Sequence, residues 1–153
     1  MVFLIALALP LPGMGAELSG VVIGVRDGDT LTMLVDRQHV AIRLAEIDAP
    51  ELQQPYGRHS QQSLAELCLQ MQAVVEHFRR DRHGGVVGSV RCKGVDVNAA
   101  QVERGMAWVY GRDSRRTPPL YLLQDQAQRQ HLGLWAESSP VPPWQWRRDR
   151  RRR

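Results

Sequence analysis

Four charged residues in two short acidic segments have the types that phosphodiester chemistry requires. The segment DGDT contains Asp29, and the segment RLAEIDAPE contains Arg43, Asp48 and Glu51. The carboxylates of Asp29 and Asp48 are hard oxygen donors of the kind that calcium and magnesium prefer. Glu51 adds a carboxylate that can act as a base or orient a water, and the planar fork of Arg43 suits a phosphate. Together these side chains predict a metal-assisted phosphodiesterase site.

Both acidic segments also contain sequences that are common in turns. Asp-Gly and Asp-Ala-Pro occur in many turns, so two aspartates alone would be weak evidence for a metal site. For Asp27 we favour a role in closing the turn over a role as a ligand. The prediction depends on the combination of carboxylates with Arg43 and Glu51.

Five strands and three helices are expected to position these residues. Apolar alternation and turn residues predict strands at residues 18–25, 31–35, 39–47, 73–78 and 86–92. Apolar spacing and end signals predict helices at residues 60–69, 98–105 and 118–131, with Asn98 capping the second. The order β-β-β-α-β-β-α-α is typical of an α+β protein built on a small five-stranded Greek-key barrel of the OB type.

The two acidic segments fall at strand ends in this arrangement. Asp29 lies at the first hairpin, and Asp48 lies at the end of the third strand. Because side chains alternate along a strand, Arg43 and Ile47 are expected on one face and Leu44 and Asp48 on the other, unless a bulge intervenes.

The amino-terminal residues have the pattern of a secretory signal. The apolar run VFLIALALPL is followed by small residues up to Ala16, which predicts a signal peptide at residues 1–16. A run of this length is too short to cross a bilayer. A buried first strand or an uncleaved anchor is the alternative, because no Lys or Arg precedes the run. Export predicts a secreted or periplasmic protein.

The positive charge of the chain lies in its carboxyl-terminal tail. The last seven residues hold six arginines and one aspartate, a net charge of +5, so the rest of the chain carries −1 of the total of +4. We expect a single domain at residues 17–139 and a Pro/Trp-rich, then Arg-rich, tail at residues 140–153. Self-repulsion predicts that the arginines are disordered, acting either to solubilise the chain or to attract phosphates non-specifically. The composition excludes collagen, coiled coils and multi-span membrane proteins.

The two cysteines of the chain have two interpretations. In an exported protein, a disulfide between Cys68 and Cys92 is favoured, whereas a reducing compartment would leave two buried thiols. The spacing does not suggest a zinc site, and neither cysteine has a neighbour that would make it a nucleophile.

The order and spacing of several motifs resemble the staphylococcal nuclease (thermonuclease) family. The similarity covers residues 19–136 and rests on DGDT, RLAEIDAPE, Tyr56-Gly57, DRHGG, GVDVNAAQVERGMAWVY and GLW. The resemblance implies an OB barrel with three helices and a calcium-dependent hydrolase of phosphodiester bonds in DNA and RNA. Such a protein is expected to be a monomer, with no stable membrane insertion once its signal is removed.

The resemblance also assigns roles to individual residues. Asp29 and Asp48 would bind Ca²⁺ through their carboxylates, and Ala49 would bind it through its backbone carbonyl, a ligand that tolerates the replacement of the family's frequent Thr. Glu51 would position or deprotonate the attacking water. Arg43 would bind the phosphate and stabilise the charge that develops on it.

One turn departs from the family pattern. Where the family has D-R/K-Y-G-R, with the final Arg as a second phosphate clamp, this chain has His83 in place of Tyr and Gly85 in place of Arg. A lost clamp predicts a reduced rate, because an arginine on a transferring phosphoryl group contributes about 10³–10⁵ in rate. Arg80, Arg82 or a protonated His83 are the candidates for a replacement.

The main alternative is a binding module with impaired catalysis. An OB barrel can hold single-stranded nucleic acid through aromatic side chains in a basic groove. Trp108 and Tyr110 are the candidate stacking residues, although packing in the core or at its rim is the more common role for such side chains.

Overall fold

The computed structural model describes residues 17–111 and 118–152. The predicted signal peptide at residues 1–16 lies outside the described residues. The strands are β1 (Leu18–Val25), β2 (Thr30–Val35), β3 (Gln38–Leu44), β4 (Ile47–Asp48), β5 (Gln72–Arg80), β6 (Val86–Cys92), β7 (Val95–Asp96) and β8 (Trp108–Val109). The helices are α1 (Gly57–Cys68), α2 (Val97–Glu103), α3 (Pro118–Arg129) and α4 (Pro143–Arg150), with a 3₁₀ turn at Gly133–Ala136. In the described part of the chain, no helix combines the length and apolarity needed to cross a bilayer.

Five long strands form a closed barrel. They are hydrogen-bonded in the order β3-β2-β1-β5-β6, and a parallel pairing of β3 with β6 closes the sheet. The apolar alternation of these strands fills the interior with fully buried side chains, among them Val22, Leu31, Met33, Ile42, Val75 and Val90. Removing this apolar surface from water supplies the main stabilisation of the barrel. The predicted α+β fold with an OB-type barrel is therefore confirmed.

The third predicted strand is broken before it reaches Asp48. Glu46 has a positive φ of 65°, which ends β3 and starts the separate two-residue strand β4. Strand β4 pairs with β8, where Asp48 lies opposite Trp108. The alternation expected in the absence of a bulge is therefore interrupted between Arg43 and Asp48, and the break places the Asp48 carboxylate within reach of the Arg43 guanidinium.

Asn98 supports this break rather than capping a helix. The N-cap of α2 is Asp96, whose carboxylate accepts a hydrogen bond from the Ala99 N–H at 3.0 Å. The amide of Asn98 is buried, where it donates to the Ala45 carbonyl at 2.9 Å and accepts from the Val90 N–H at 3.0 Å. The predicted Asn cap is wrong, and the side chain instead links the β3–β4 turn to β6.

The predicted disulfide is present. Cys68 at the end of α1 and Cys92 at the end of β6 are bonded, with their Cα atoms 5.3 Å apart. The bond joins a helix to the barrel at the edge of the buried core, where both residues are almost fully buried.

The Arg-rich tail is helical, so the prediction of disorder is wrong. Helix α4 begins at Pro143, a residue whose fixed φ suits the first turn of a helix. The ring of Trp144 packs 5.7 Å from that of Trp108 and 5.1 Å from that of Tyr110. The basic residues of the last turn interact favourably with the carboxyl-terminal end of the helix dipole. Packing against the barrel, which local sequence does not encode, offsets the repulsion among the arginines.

Candidate active site

One open cleft brings together the predicted metal ligands, the predicted base and the predicted phosphate-binding arginine. It has a volume of about 370 Å³. Its lining residues within the described part of the chain are Arg26, Asp27, Asp29, Arg43, Asp48, Ala49, Pro50, Glu51 and Arg147. The five predicted site residues therefore lie together, and Arg147 is an addition that the sequence did not predict.

The β1–β2 turn holds Asp29 through a buried polar network. The Asp27 carboxylate accepts a hydrogen bond from the Asp29 N–H at 3.1 Å, which confirms the turn role of Asp27. The buried Gln101 amide donates to the Gly28 carbonyl at 2.7 Å and to the Ser60 carbonyl at 3.1 Å. A Cβ at Gly28 would overlap the Ser60 side chain, so only glycine allows this close approach.

The Asp29 carboxylate is buried and joined to the Asp48 segment. It accepts a hydrogen bond from the Ala49 N–H at 2.7 Å and another from the Thr30 hydroxyl at 2.9 Å. Arg43 then bridges the two aspartates, with Nη1 3.3 Å from Asp29 Oδ1 and Nη2 3.3 Å from Asp48 Oδ1. Asp29 is 3% exposed and Asp48 is 1% exposed, so both carboxylates need compensating cations.

Burial raises the pKa of Asp29 to about 7. Desolvation is the main cause, the Arg43 guanidinium and the Ala49 N–H act in the opposite direction, and the carboxylates of Asp27 and Asp48 add to the increase. Because the ionised form of this carboxylate is unfavourable in the protein alone, a cation placed against it would stabilise that form.

The donor set has the chemistry that a calcium-type ion requires. Asp29 and Asp48 offer hard carboxylate oxygens, and the adjacent Ala49 offers a backbone carbonyl. Among the described residues, no group of three or more His, Cys, Asp or Glu side chains could hold an ion. The residues therefore fit an ion whose coordination is completed by carbonyl and water oxygens, and they do not form an all-carboxylate cage.

Glu51 lies at the edge of the cleft. Its backbone N–H donates to the Gln54 side-chain oxygen at 3.1 Å, which fixes the start of the turn after Pro50. Its side chain is 39% exposed and is therefore accessible to solvent, unlike the two aspartates. This position suits a carboxylate that handles a water rather than one that is buried against a metal.

Arg147 of α4 reaches the cleft from the far end of the chain. Nη2 lies 2.7 Å from Asp48 Oδ2, and Nη1 lies 3.1 Å from Asp48 Oδ1 and 2.8 Å from Glu51 Oε1. The hydrogen bonds to Asp48 and Glu51 raise the pKa of Arg147 above its ordinary value, so the side chain is always charged. The sequence contains no local signal for this contact, because Arg147 is one of six arginines in seven residues.

The turn between β5 and β6 supplies no cation to the cleft. Asp81 organises it by accepting hydrogen bonds from the His83 N–H at 2.7 Å and the Gly85 N–H at 2.9 Å. These bonds hold the pKa of Asp81 below its usual value. The Arg82 guanidinium donates to the His83 ring at 3.1 Å. Arg80, Arg82 and His83 do not line the cleft, so the structure does not support them as replacements for the missing arginine.

The candidate stacking aromatics are engaged in packing. The Trp108 ring lies 4.3 Å from the Trp135 ring and 5.7 Å from the Trp144 ring. Tyr110 is half exposed but lies against Trp144. The structure therefore favours the packing role for both residues.

The chain is similar to known nucleases over most of its length. A family model described as staphylococcal nuclease homologue matches residues 41–137. An uncharacterized endonuclease of Escherichia coli is 42% identical over 137 residues, which is 89% of each chain. Protein ParB of Escherichia coli is 39% identical over 144 residues, covering 88% of this chain and 81% of that protein. A micrococcal nuclease of Shigella flexneri is 37% identical over 143 residues, covering 87% of this chain and 82% of that protein.

Proposed function

Because this chain belongs to the staphylococcal nuclease family and is a nuclease, we propose that it is an exported, calcium-dependent hydrolase of phosphodiester bonds in DNA and RNA. The observation that carries the proposal is the convergence of Asp29, Arg43, Asp48 and Glu51 on one cleft. Two of these carboxylates are buried around a shared guanidinium, and a bound cation would lower the cost of keeping both of them ionised.

Each charged residue of the cleft would have a separate role in hydrolysis. Asp29, Asp48 and the Ala49 carbonyl would hold Ca²⁺, which supplies Lewis-acid polarisation of a phosphate oxygen when it is bound. Glu51 accepts a proton from a water, whose oxygen forms a bond to phosphorus while the bond from phosphorus to the 5′ oxygen breaks. The 5′ oxygen takes up a proton from solvent water, and Glu51 later returns its proton to solvent, which leaves a 3′-phosphate and a 5′-hydroxyl. Arg43 donates to the phosphate oxygens as their negative charge grows.

The glycine at position 85 is expected to lower the rate of phosphodiester cleavage. The turn lacks the side chain that would contact the phosphate, so a reduced rate follows unless another cation takes that place. Val87, two residues after Gly85, pairs with Arg43 in the β3–β6 ladder, so the turn leads into the strand next to the one that carries Arg43.

Export is supported by two features of the chain. The apolar run before Ala16 has the length of a signal sequence. The Cys68–Cys92 bond is of a kind that persists in oxidising compartments such as the periplasm or the extracellular space.

A cleavage assay tests the proposal. The purified protein, shown to be folded by circular dichroism, is incubated with single-stranded DNA or with RNA, in Ca²⁺ or in a chelator. We expect cleavage in Ca²⁺ alone and a loss of about 10²–10⁴ in rate for Glu51→Gln. Glu66→Gln, an exposed change on α1 away from the cleft, is the matched control. A folded protein without Ca²⁺-dependent cleavage would overturn the proposal.

A further inference from the structure

Helix α4 holds Arg147 in a defined position over the cleft. Pro143 is buried, and Trp144 packs against Trp108 and Tyr110. The side chain of Gln54 donates to the carbonyl of Val141 just before the helix. These contacts fix both the start of the helix and the direction in which Arg147, the fifth residue of the helix, extends. A positioned arginine loses little conformational freedom on binding a ligand, in contrast to one on a disordered tail.

The guanidinium groups of Arg147 and Arg43 converge on one carboxylate oxygen. Asp48 Oδ1 accepts from Arg147 Nη1 at 3.1 Å and from Arg43 Nη2 at 3.3 Å. Two like charges held this close repel each other, and the carboxylates of the cleft provide the compensation. Two neighbouring guanidinium groups also suit a phosphate group, whose several oxygens can each accept a hydrogen bond.

The charge balance of the cleft changes sign once a divalent cation occupies the carboxylates. With Asp29, Asp48 and Glu51 ionised, three negative charges face the two positive charges of Arg43 and Arg147. A divalent ion on the aspartates makes this group net positive by one charge, which matches one phosphodiester anion. Without Arg147 the same group would be neutral and would attract the anion less.

Arg147 forms a wall of the cleft and leaves it open. Its side chain is 35% exposed, and the cleft retains about 370 Å³ with the side chain in place. The guanidinium contacts the Asp48 and Glu51 carboxylates at one side of this space and leaves the rest of it free. The exposed part of the guanidinium is available to a ligand in the same cleft.

We propose that Arg147 is the second phosphate-binding arginine of this nuclease and acts from helix α4 in place of the side chain that is missing at Gly85. The inference depends on the proposed function, since it assigns a substrate contact in the same site. The residues matched by the family model end at 137, before this helix begins. Arg147 thus adds a contact that the family pattern alone does not indicate.

The test compares Arg147→Ala, Arg147→Lys and the control Arg148→Ala, which removes an equal charge from an exposed position on the same helix. Three quantities are measured: the rate of cleavage of single-stranded DNA, the affinity for a short phosphorothioate oligonucleotide with and without Ca²⁺, and the affinity for Ca²⁺ alone by calorimetry. Circular dichroism and tryptophan fluorescence report whether α4 remains docked.

We expect Arg147→Ala to lose at least about 100-fold in cleavage rate. It should also lose most of the gain in oligonucleotide affinity that Ca²⁺ gives, while its affinity for Ca²⁺ itself does not fall. Arg147→Lys keeps the charge but not the two-pronged fork, and its values should lie between those of wild type and Arg147→Ala. Arg148→Ala should stay within about threefold of wild type, because an exposed charge at this distance is screened.

Two results would overturn the inference. A faster rate in Arg147→Ala would show that the side chain blocks the site, and equal losses in Arg147→Ala and Arg148→Ala would show that only the tail's total charge matters. If wild type does not cleave at all, the proposed function fails. The Ca²⁺-dependent oligonucleotide affinities of wild type, Arg147→Ala and Arg148→Ala then still decide whether Arg147 contacts phosphate.

Discussion

The β5–β6 turn and helix α4 approach the barrel from different parts of the chain, and they differ in what they bring to the cleft. The turn is held by hydrogen bonds from two of its own backbone N–H groups to the Asp81 carboxylate. It ends in a glycine, which provides no side chain. Helix α4 is organised by packing on Trp108 and Tyr110, and it places a guanidinium on Asp48 and Glu51. A charged contact can therefore be supplied by any element that is rigidly docked, whatever its distance along the chain.

Removal of helix α4 is the change with the largest expected effect. A chain that stops after Ser139 should lose at least about 100-fold in cleavage rate, as Arg147→Ala does, because the same guanidinium is removed. The barrel should still fold, because its buried core contains no residue from the tail. Cleavage kinetics on single-stranded DNA measure the loss in rate, and far-ultraviolet circular dichroism shows whether the barrel is folded. A truncated, folded chain within threefold of the wild-type rate would show that α4 is not part of the site.

Returning the arginine to the turn is expected to have a smaller effect that depends on the background. Gly85→Arg should regain about tenfold in the Arg147→Ala variant but change wild type by less than about threefold, because residues that serve one contact are not additive. The new Cβ would collide with the Asp81 carboxylate, which has to rotate away. Gly85→Ala is the control, because it introduces the same Cβ collision without the guanidinium. Equal gains in both backgrounds would mean that the two positions contact different groups.

The buried carboxyl group of Asp29 in the cleft should make the stability of the metal-free protein depend on pH in an unusual way. The pKa of Asp29 in the folded protein is about 7, above its ordinary value of 3.8, so the folded state binds this proton more tightly than the unfolded state does. Stability without metal should therefore fall as the pH rises from about 4 to about 7. Asp29→Asn should remove this decline and raise stability at pH 8 in chelator by on the order of 3 kcal/mol, measured by urea unfolding.

A wild-type chain whose metal-free stability increased steadily between pH 5 and pH 8 would contradict this assignment, because other groups alone would then set the dependence. In the presence of Ca²⁺ the advantage of Asp29→Asn should disappear, since the ion would stabilise the ionised carboxylate of wild type.

Asp81 in the β5–β6 turn should have the opposite pH dependence to Asp29. Its substitution should have the smallest effect of the four changes considered. The lowered pKa of Asp81 means that its stabilising contribution is present above the unfolded pKa and is lost as the pH falls. Asp81→Ala should speed the exchange of the His83 and Gly85 amide hydrogens at neutral pH and leave the barrel amides unchanged. Slow exchange at both positions in the variant would show that Asp81 does not hold the turn.

Much of the site follows from local sequence patterns. Turn residues locate Asp29 between two strands, and the Pro after Ala49 marks the end of the segment that carries Asp48. Alternating apolar residues give the barrel strands, whose ends bring the two aspartates to the same edge. These features were predictable because period and turn chemistry act over a few residues.

Other features depended on contacts between distant residues. The break at Glu46 and the burial of Asn98 follow from packing of the β3–β4 turn on β6, which the pattern of a continuous strand conceals. Gln101 gave no sequence signal, although its amide holds the carbonyl of Gly28. Only the folded chain shows which buried polar groups meet.

The sequence by itself determined the barrel strands and the four predicted charged site residues Asp29, Arg43, Asp48 and Glu51, because local periodicity or a motif encodes each of them. The tertiary structure alone decided the role of the arginine-rich end. Read locally, six arginines repel one another and predict disorder. In the folded protein, Trp144 packs helix α4 against the barrel, and the buried carboxylate of Asp48 and the partly exposed carboxylate of Glu51 neutralise Arg147. Long-range packing and the cost of burying unpaired carboxylates outweigh the local repulsion.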